Sequence, residues 1–452
     1  VLDFPLQIDI INNIVYFERT QMYLYFYLNK VFAVFLVNFD YEGGRRMGAE
    51  VMVLKISSVQ AVALAFVTYY LGVWIKNKSA LLQRFSLPAA VIGGLPFAFF
   101  LSVLRGMGIL QVTFDNALST VALLAFFTTV GMMASLKLVK YGGMALVMFW
   151  VVSTIVGFAQ NLIGMGIAGA MGIDPHYGIL AGAVSLMGGL GTSAAFGPYF
   201  ETTYNIQGAT TVAITAATFG MVVALVMGGP FGEWIMKRYN ITPPHQHIAV
   251  EEGAPEDIDL TVLEEEDTSD ANGVIKAAGF VFLAIGIGSV LSAELGKIIT
   301  LPAYIGAMLV AAIIRNIGDF TGAYKVQGGG LNIVAEVALT VYVTMAINSL
   351  NLYELVNLAL PLLVILIAQT IFMLIVAWLV YFLMFGKNYE AMMLGVGAIG
   401  FAMGATANGL ANMQSLGEKY GHDAKAWLIV SLVGAFLIDF TNAIIITWMG
   451  AW

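Results

Sequence analysis

Two glycine-rich segments of this sequence carry the residues best suited to binding a small anion. Residues 185–195 read SLMGGLGTSAA, and residues 400–409 read GFAMGATANG. Glycines allow backbone amides to approach a ligand closely, and a helix that begins after such a loop points its positive end at the ligand. Hydroxyl and amide side chains add neutral donors, so a carboxylate could bind here without a buried arginine. The candidate residues are Gly189, Gly191, Thr192, Ser193, Gly404, Thr406 and Asn408.

A second candidate site lies in an apolar segment near the end of the chain. Asp439 comes about twelve residues into segment 427–449, which places it roughly 18 Å deep at the rise of a helix. A charge at this depth is costly without a partner. Asn442 follows at i+3 on the same helix face. Oxygen ligands of this kind suit Na⁺, so we predict that Asp439 and Asn442 bind Na⁺. A proton carrier and a purely structural Asp are the alternatives.

Polar and basic side chains also occur within or beside other apolar segments. Gln160 and Gln369 occupy matching places in two of them. A buried amide is costly unless it is bonded, so both residues, and Asn161 next to Gln160, are predicted either to contact substrate or to join two helices. Arg105 and Arg315 lie near segment ends, where their side chains are expected to extend to the membrane surface.

The composition shows what kind of element must position these residues. Of 452 residues, 60% are hydrophobic and 11% charged, with a mean hydropathy of +0.86. Soluble domains carry about 25% charged residues, so lipid is the solvent that suits this chain. There is no basic stripe for nucleic acid, no cysteine for a thiolate metal site, and no motif of a hydrolase or of an ATP-binding loop. A transporter is therefore favoured over an enzyme.

Ten segments are long and apolar enough to cross a bilayer, which requires about 20 residues of helix. They are residues 57–75, 87–104, 117–134, 142–170, 210–235, 275–296, 302–318, 330–349, 356–385 and 427–449. The sequence thus predicts an all-α integral membrane protein with ten transmembrane helices.

Short motifs recur between the two halves of the chain. Leu87-Pro88-Ala89 recurs as Leu301-Pro302-Ala303, and Ser135-Leu136 recurs as Ser349-Leu350, each 214 residues later. Five crossings in each half are an odd number, so the second half must enter the membrane in the opposite orientation. Inverted repeats of this kind are a hallmark of secondary transporters.

The glycine-rich segments occupy matching places in this repeat, over residues 178–198 and 390–412. Their small polar residues would leave backbone groups unpaired in lipid, which is tolerated only inside protein or beside a wet cavity. Two re-entrant hairpins whose tips meet near the midplane are therefore predicted. Spacing of small residues four apart, as in Gly188/Thr192 and Gly400/Gly404, also fits simple helix packing. The matching positions favour a substrate site.

An acidic, proline-containing linker at 236–273 separates a first repeat, 57–235, from a second, 274–452. If the linker is cytoplasmic, Arg105 and Lys297 are the only basic residues after position 57 that fall outside, as the positive-inside rule requires. Residues 1–56 form an extension. Its aromatic run 22–39 is predicted to be an interfacial helix, with an extra crossing as the alternative.

Several motifs together resemble those of the bacterial sodium/glutamate symporter family over residues 57–449. They are Gly188-Gly189-Leu190-Gly191-Thr192-Ser193-Ala194-Ala195, Leu124-Ala125-Phe126-Phe127, Gly386-Lys387-Asn388-Tyr389, Ala411-Asn412-Met413-Gln414 and Val433-Gly434-Ala435-Phe436-Leu437-Ile438-Asp439.

The resemblance implies ten helices in two five-helix repeats, two re-entrant loops and Na⁺-driven uptake of glutamate. It also implies a homodimer with scaffold and transport domains that could move as an elevator. The sequence departs from the family pattern at both loops. Leu190 stands where His is common, and Ala407-Asn408 follow Thr406 where Pro-Thr is common.

Our leading hypothesis is a Na⁺-coupled symporter of L-glutamate or a related small anion in the bacterial inner membrane, with Na⁺ as the coupling ion. Thr192, Ser193, Thr406 and Asn408, with neighbouring glycine amides, would bind the carboxylates. The runner-up is a proton- or Na⁺-coupled transporter of another organic anion or dicarboxylate. A channel or a membrane scaffold is a third class, which would show no coupled flux. Expected partners are the anion, membrane lipid and a second copy of the chain, without nucleic acid.

Overall fold

The apolar segments fold as helices in a computed structural model of the protein. The structure describes residues 41–46, 49–84, 87–242, 270–295, 302, 304–325, 328–356 and 358–452. The aromatic run 22–39 and most of the acidic linker, residues 243–269, lie outside the described residues, so the interfacial helix stays a prediction.

The first half contains three strands and eight helices among the described residues. They are β1 (Tyr41–Arg46), β2 (Ala49–Ile56), α1 (Ser58–Lys78), α2 (Ala80–Arg84), α3 (Ala89–Gly106), β3 (Leu110–Phe114), α4 (Ala117–Met133), α5 (Leu136–Ala170), α6 (His176–Ile179), α7 (Gly189–Thr203) and α8 (Ala209–Tyr239). A π-helical turn, Leu180–Val184, continues α6. Helix α5 is interrupted at Gly143, which has a φ of +63°.

The described part of the second half contains eight helices and no strand. Its helices are α9 (Ala271–Leu295), α10 (Tyr304–Thr321), α11 (Gly329–Asn348), α12 (Ala359–Val376), α13 (Tyr389–Ala402), α14 (Thr406–Tyr420), α15 (Ala424–Leu432) and α16 (Ile438–Gly450). A 3₁₀ turn, Leu352–Leu355, precedes α12, and a π-helical segment, Ala377–Phe382, extends it. Another π-helical segment, Val433–Leu437, joins α15 to α16.

Eight of the ten segments expected to cross a membrane are helices long and apolar enough to do so, counted over the described residues. Two differ in detail. The segment 117–134 forms the 17-residue helix α4. The segment 427–449 forms α15 and α16, which the π-helical segment divides. Helix α8 also runs four residues into the expected linker, to Tyr239, and its last turn carries the basic residues Lys237 and Arg238.

The outer surface of the helices is apolar, as a bilayer requires. On α12, for example, Leu363, Ile367 and Ile371 recur at four-residue spacing and are about half exposed, while Gln369 and Met373 on the opposite face are fully buried. Exposing such an apolar stripe to water costs free energy, whereas exposing it to lipid does not. The protein is therefore a helical integral membrane protein, as its composition predicts.

A small sheet departs from the all-α prediction. Strand β2 pairs antiparallel with β1 and parallel with β3, in the order β1-β2-β3. Residues 41–56 had been predicted only as part of an undivided extension. Strand β2 alternates apolar and polar residues poorly, and its partner β3 lies more than fifty residues away, so no local signal announces the pairing.

The helices pack as two groups. Helices α1, α3, α4, α9, α10 and α11 contact one another extensively, and so do α5, α8, α12, α15, α16 and the α6–α7 and α13–α14 segments. Helix α11 joins the groups through α7, where the Tyr342 hydroxyl donates a hydrogen bond to the Gly191 carbonyl. Each group contains helices from both halves of the chain.

The prediction that the Arg315 side chain extends to the membrane surface is wrong, because the side chain is buried. Its residue is 4% exposed, and its Nε lies 2.9 Å from the Asp319 carboxylate. The guanidinium also donates to the Met132 carbonyl at 3.2 Å, and the Ser135 hydroxyl donates to Asp319. The C-terminal end of α10 therefore holds the turn between α4 and α5, which connects the two helix groups.

Replacing Arg315 by Met is expected to destabilise the protein by about 3 kcal/mol, because Asp319 would remain partly buried without its partner. Thermal unfolding in detergent, followed by intrinsic tryptophan fluorescence, would measure the loss. The double variant Arg315→Met/Asp319→Asn should recover part of it. A single variant as stable as the unmodified protein would show that the ion pair is dispensable.

Candidate functional site

Two broken helical hairpins form the centre of the candidate site. In the first, α6 and its π-helical turn end at Val184, and α7 begins at Gly189. In the second, α13 ends at Ala402, and α14 begins at Thr406. The glycine-rich segments predicted from the sequence are thus the breaks within these hairpins.

The tips of the two hairpins touch each other. A Cβ atom placed on Gly189 would lie 2.7 Å from the Gly404 carbonyl oxygen, and Gly189 has a φ of +63°. Gly220 of α8 approaches the second tip as closely, because a Cβ there would lie 2.1 Å from the Met403 carbonyl oxygen. Such backbone contacts leave no room for a side chain. The structure therefore brings together the two segments predicted to meet.

Both helices that begin at the tips lack a side-chain cap. The N-cap positions of α7 and α14 are Gly188 and Ala405, neither of which has a side chain that can accept a hydrogen bond from the first turn. By contrast, Asn388 caps α13 and Asp423 caps α15, each through a bond to a backbone N–H. The first N–H groups of an uncapped helix have no intrahelical acceptor. The tips thus present donors and two positive helix ends at one place.

Hydroxyl groups of α7 lie within the first turn after its tip. Ser193 is fully buried, and its Oγ has no hydrogen-bond partner. Thr192 is 5% exposed and packs against Gly188. A buried hydroxyl without a partner is costly, so Ser193 has a donor available for a ligand.

Near the hairpins, three buried amide side chains of the described residues have oxygens without a partner. Gln160 donates from Nε2 to the Ala402 carbonyl at 2.8 Å, Gln369 donates to the Gln160 carbonyl at 2.6 Å, and Asn442 donates to the Ala183 carbonyl at 2.9 Å. These acceptors fix each amide with its nitrogen toward the backbone. The Oε1 or Oδ1 atom of each of the three then has no donor.

Unpaired buried oxygens require a donor or a cation. An amide oxygen is a hard ligand of the kind that binds alkali and alkaline-earth ions. It also accepts a hydrogen bond from an ammonium group. The candidate site therefore offers free donors at its tips and free acceptors beside them.

The Ala183 peptide links this set of amides to the first hairpin. Asn442 binds its carbonyl, and the Asn161 Oδ1 accepts a hydrogen bond from its N–H at 2.8 Å. Gly182, where a Cβ would lie 2.8 Å from Asn161 Oδ1, has a non-helical conformation. Two side chains thus hold the backbone that bends into the first tip.

Asp439 is the second residue of α16, which follows the π-helical segment Val433–Leu437. π-Helical turns are frequent at functional sites. The carboxylate is partly buried and forms no hydrogen bond or ion pair with any described residue. The Tyr304 hydroxyl of α10 is buried and likewise has no hydrogen-bond partner. Asn442 lies one turn further along α16.

Comparison with known proteins shows which family this chain resembles. A model described as sodium/glutamate symporter matches residues 54–422. The sodium/glutamate symporter of Escherichia coli (strain K12) is 34% identical over 396 residues, which cover 86% of this chain and 96% of the relative. The sodium/glutamate symporter of Haemophilus influenzae is 33% identical over 393 residues, which cover 87% and 96%. This chain belongs to the sodium/glutamate symporter family.

The match confirms the resemblance read from the motifs. It spans both hairpins and the two glutamines of this sodium/glutamate symporter family member. Asp439 and Asn442 lie beyond the end of the matched range, at residue 422. Their roles therefore depend on the geometry of the site.

Two of the predicted residues have structural partners as well as a place at the second tip. Asn408 is 1% exposed and donates from Nδ2 to the Met221 carbonyl at 3.0 Å. Thr406 packs against Gly434, where a Cβ would lie 2.8 Å from its Oγ1. Gly191 of the first hairpin contacts Phe126 and accepts the Tyr342 hydrogen bond. These residues join the tips to the surrounding helices.

No pattern in the sequence placed Tyr304 in the site, whereas Asn161 was predicted either to contact substrate or to join two helices. Asn161 adjoins Gln160, and its contact with the first hairpin depends on a backbone bend more than twenty residues later. Tyr304 lies in another helix group, stacked on Phe127 with ring centroids 4.0 Å apart. The pattern of the sequence contains no sign of this contact. The intramembrane amide was the available signal, and it pointed to Gln160, Asn161 and Gln369 as candidates.

Proposed function

We propose that this protein is a Na⁺-coupled symporter that carries L-glutamate across the bacterial inner membrane. The observation that carries the proposal is the meeting of two uncapped helix ends beside buried oxygens that have no partner. Donors suit the carboxylates of the substrate, and free oxygens suit a cation. The names of the family and of its relatives supply the substrate and the ion.

The carboxylates of the substrate would bind at the tips. The N–H groups in the first turns of α7 and α14 that have no backbone acceptor, such as that of Gly191, would donate to them, as would the Gly404 N–H at the second tip. Thr192, Ser193, Thr406 and Asn408 would add side-chain donors. The two helix dipoles favour negative charge at this point, so an anion needs no buried arginine here.

Na⁺ would bind beside the substrate, between Asp439 and Asn442. The Asp439 carboxylate would supply the charge and the unpaired Asn442 Oδ1 a neutral ligand. The oxygens of Gln160 and Gln369 would accept from the substrate ammonium group. The positive charge of Na⁺ offsets one negative charge of the substrate. Burying the two together therefore costs less desolvation free energy than burying either one alone.

Several features of the architecture support alternating access. We propose ten membrane crossings in two inverted five-helix repeats, with the hairpins re-entrant and the linker 236–273 cytoplasmic. The same order of helices in both halves supports the repeat, and the two helix groups resemble a scaffold and a mobile body. In a homodimer, the helices α1, α3, α4, α9, α10 and α11 would form the contact between the two copies. The other group, which contains both hairpins, could then move as an elevator.

Uptake of labelled L-glutamate into proteoliposomes tests the function. An inward Na⁺ gradient should drive accumulation, and an equal K⁺ gradient should not. Accumulation driven by a proton gradient, or a preference for another dicarboxylate over glutamate, would replace the proposal with the alternative transporter. Downhill flux without coupling would indicate a channel.

Replacing Gln369 by Met is expected to raise the substrate concentration for half-maximal uptake about tenfold, because one hydrogen bond to a charged group is lost. Thermal stability should change little, since the variant also removes an unpaired buried oxygen. Asn412→Leu is the matched control, because Asn412 donates a similar bond to the Ala224 carbonyl. If Gln369→Met lowered thermal stability but left the substrate concentration for half-maximal uptake unchanged, Gln369 would only join two helices and would not contact substrate.

A further inference from the structure

An apolar groove lies on the outer surface between α8 and α12, apart from the candidate transport site. Its volume is about 340 Å³. The residues that line it are Met227, Pro230, Phe231, Trp234, Leu374, Ile375 and Trp378. Trp234 and Ile375 are each 47% exposed, so the groove opens toward the surroundings of the helices. In a membrane protein those surroundings are lipid.

The backbone explains why a groove exists at this place. Pro230 lies inside α8, where proline removes a helical hydrogen bond and displaces the chain. Trp378 lies in the π-helical segment Ala377–Phe382 that extends α12, and a π-helical turn is wider than an α-helical one. Helices α8 and α12 are therefore held apart between their aromatic contacts.

The aromatic side chains close one end of the groove. The rings of Trp234 and Trp378 are 6.1 Å apart, and Trp378 Nε1 donates a hydrogen bond to the Tyr239 hydroxyl at 2.8 Å. The Tyr239 ring in turn contacts Phe382. Tryptophan and tyrosine with a bonded polar atom are typical of the boundary between hydrocarbon and headgroups. This end of the groove thus has the character of that boundary.

Two basic residues follow at the closed end. Lys237 and Arg238 come three and four residues after Trp234, on the same face of α8. The Lys237 ammonium is 78% exposed and lies 3.9 Å from Glu233, whose carboxylate is held by Lys419 at 2.6 Å. Arg238 is exposed, with its guanidinium 5.7 Å from the centre of the Tyr239 ring. Two positive charges therefore stand above an apolar groove.

We propose that the groove binds an anionic phospholipid. One acyl chain lies along the apolar lining, and the headgroup phosphate binds Lys237 and Arg238. A zwitterionic lipid would place its own positive group near the two basic side chains, so the site selects lipids with net negative charge. Because α8 contacts both the α7 and the α13–α14 segments, the bound lipid would hold α12 against α8, next to both hairpins.

Native mass spectrometry of the purified protein in detergent tests this directly. Phosphatidylglycerol added to delipidated protein should give a discrete lipid-bound species, and phosphatidylcholine at the same concentration should give much less. The double variant Lys237→Gln/Arg238→Gln should weaken phosphatidylglycerol binding about tenfold. The matched control Lys78→Gln/Lys137→Gln removes two exposed basic residues at other helix ends and should bind as the unmodified protein does.

A second variant separates the groove from the charges. Ile375→Trp would fill the groove without changing charge and should also lower phosphatidylglycerol binding about tenfold. Equal binding of phosphatidylglycerol and phosphatidylcholine would overturn the proposal. Unchanged phosphatidylglycerol binding by Lys237→Gln/Arg238→Gln or by Ile375→Trp would overturn it too. If Ile375→Trp lost a dimeric species rather than the lipid-bound species, the groove would be a contact with a second copy of the chain. That result would also overturn the proposal.

Discussion

Replacing Asp439 by Asn is expected to lower Na⁺-driven glutamate uptake about a hundredfold or more. The two side chains have nearly the same shape, so the change removes a charge without creating a cavity. Loss of the charged partner of a buried ion typically costs several kcal/mol, and each 1.4 kcal/mol is a factor of ten. Uptake by proteoliposomes at saturating external Na⁺ would measure the effect.

The matched control for this variant is Asp270→Asn. Asp270 precedes α9, is exposed and accepts a hydrogen bond from the Gly273 N–H, which Asn can also accept. The control therefore removes the same charge from the chain and should retain normal uptake. Normal Na⁺ dependence in Asp439→Asn would remove Asp439 from the cation site.

Replacing Gly189 by Ala is expected to lower uptake at least about tenfold. The left-handed conformation of Gly189 costs another residue about 1–2 kcal/mol, and its Cβ would press on the Gly404 carbonyl oxygen at 2.7 Å. Because that oxygen belongs to backbone, the tips must separate to relieve the contact. The helix ends would then no longer converge on one anion, and the half-maximal substrate concentration should rise.

Gly166→Ala is the control for this effect. Gly166 lies in α5, and a Cβ placed there meets no atom within 4 Å. Its substitution should leave uptake unchanged or slightly stabilise the helix, because alanine is the better helix former. If Gly189→Ala transported as well as Gly166→Ala, the contact between the tips would have no part in substrate binding.

The membrane-spanning helices could be predicted because their signal is local. A run of about twenty apolar residues has one stable solution in lipid, so eight of the ten segments met the expectation in full. The broken hairpins were also predictable. Glycine and small polar residues within apolar segments such as 178–198 leave backbone groups that must be enclosed, and their recurrence at 390–412 pointed to a shared site.

The features that the sequence did not reveal depend on contacts between distant residues. Arg315 is buried because Asp319 and the Met132 carbonyl bind it, and the carbonyl lies 183 positions earlier. Strand β2 exists because β3 pairs with it. Asn161 finds its partner, the Ala183 N–H, only when the first hairpin bends. Such contacts have no periodicity that one sequence can display.

The central claim is that substrate and Na⁺ occupy one site and stabilise each other there. Titration calorimetry of the purified protein with Na⁺, in the presence and absence of saturating L-glutamate, measures this most directly. We expect glutamate to tighten Na⁺ binding at least about tenfold, and Na⁺ to tighten glutamate binding by the same factor, as linkage requires. A Na⁺ affinity that is the same with and without glutamate would contradict the account.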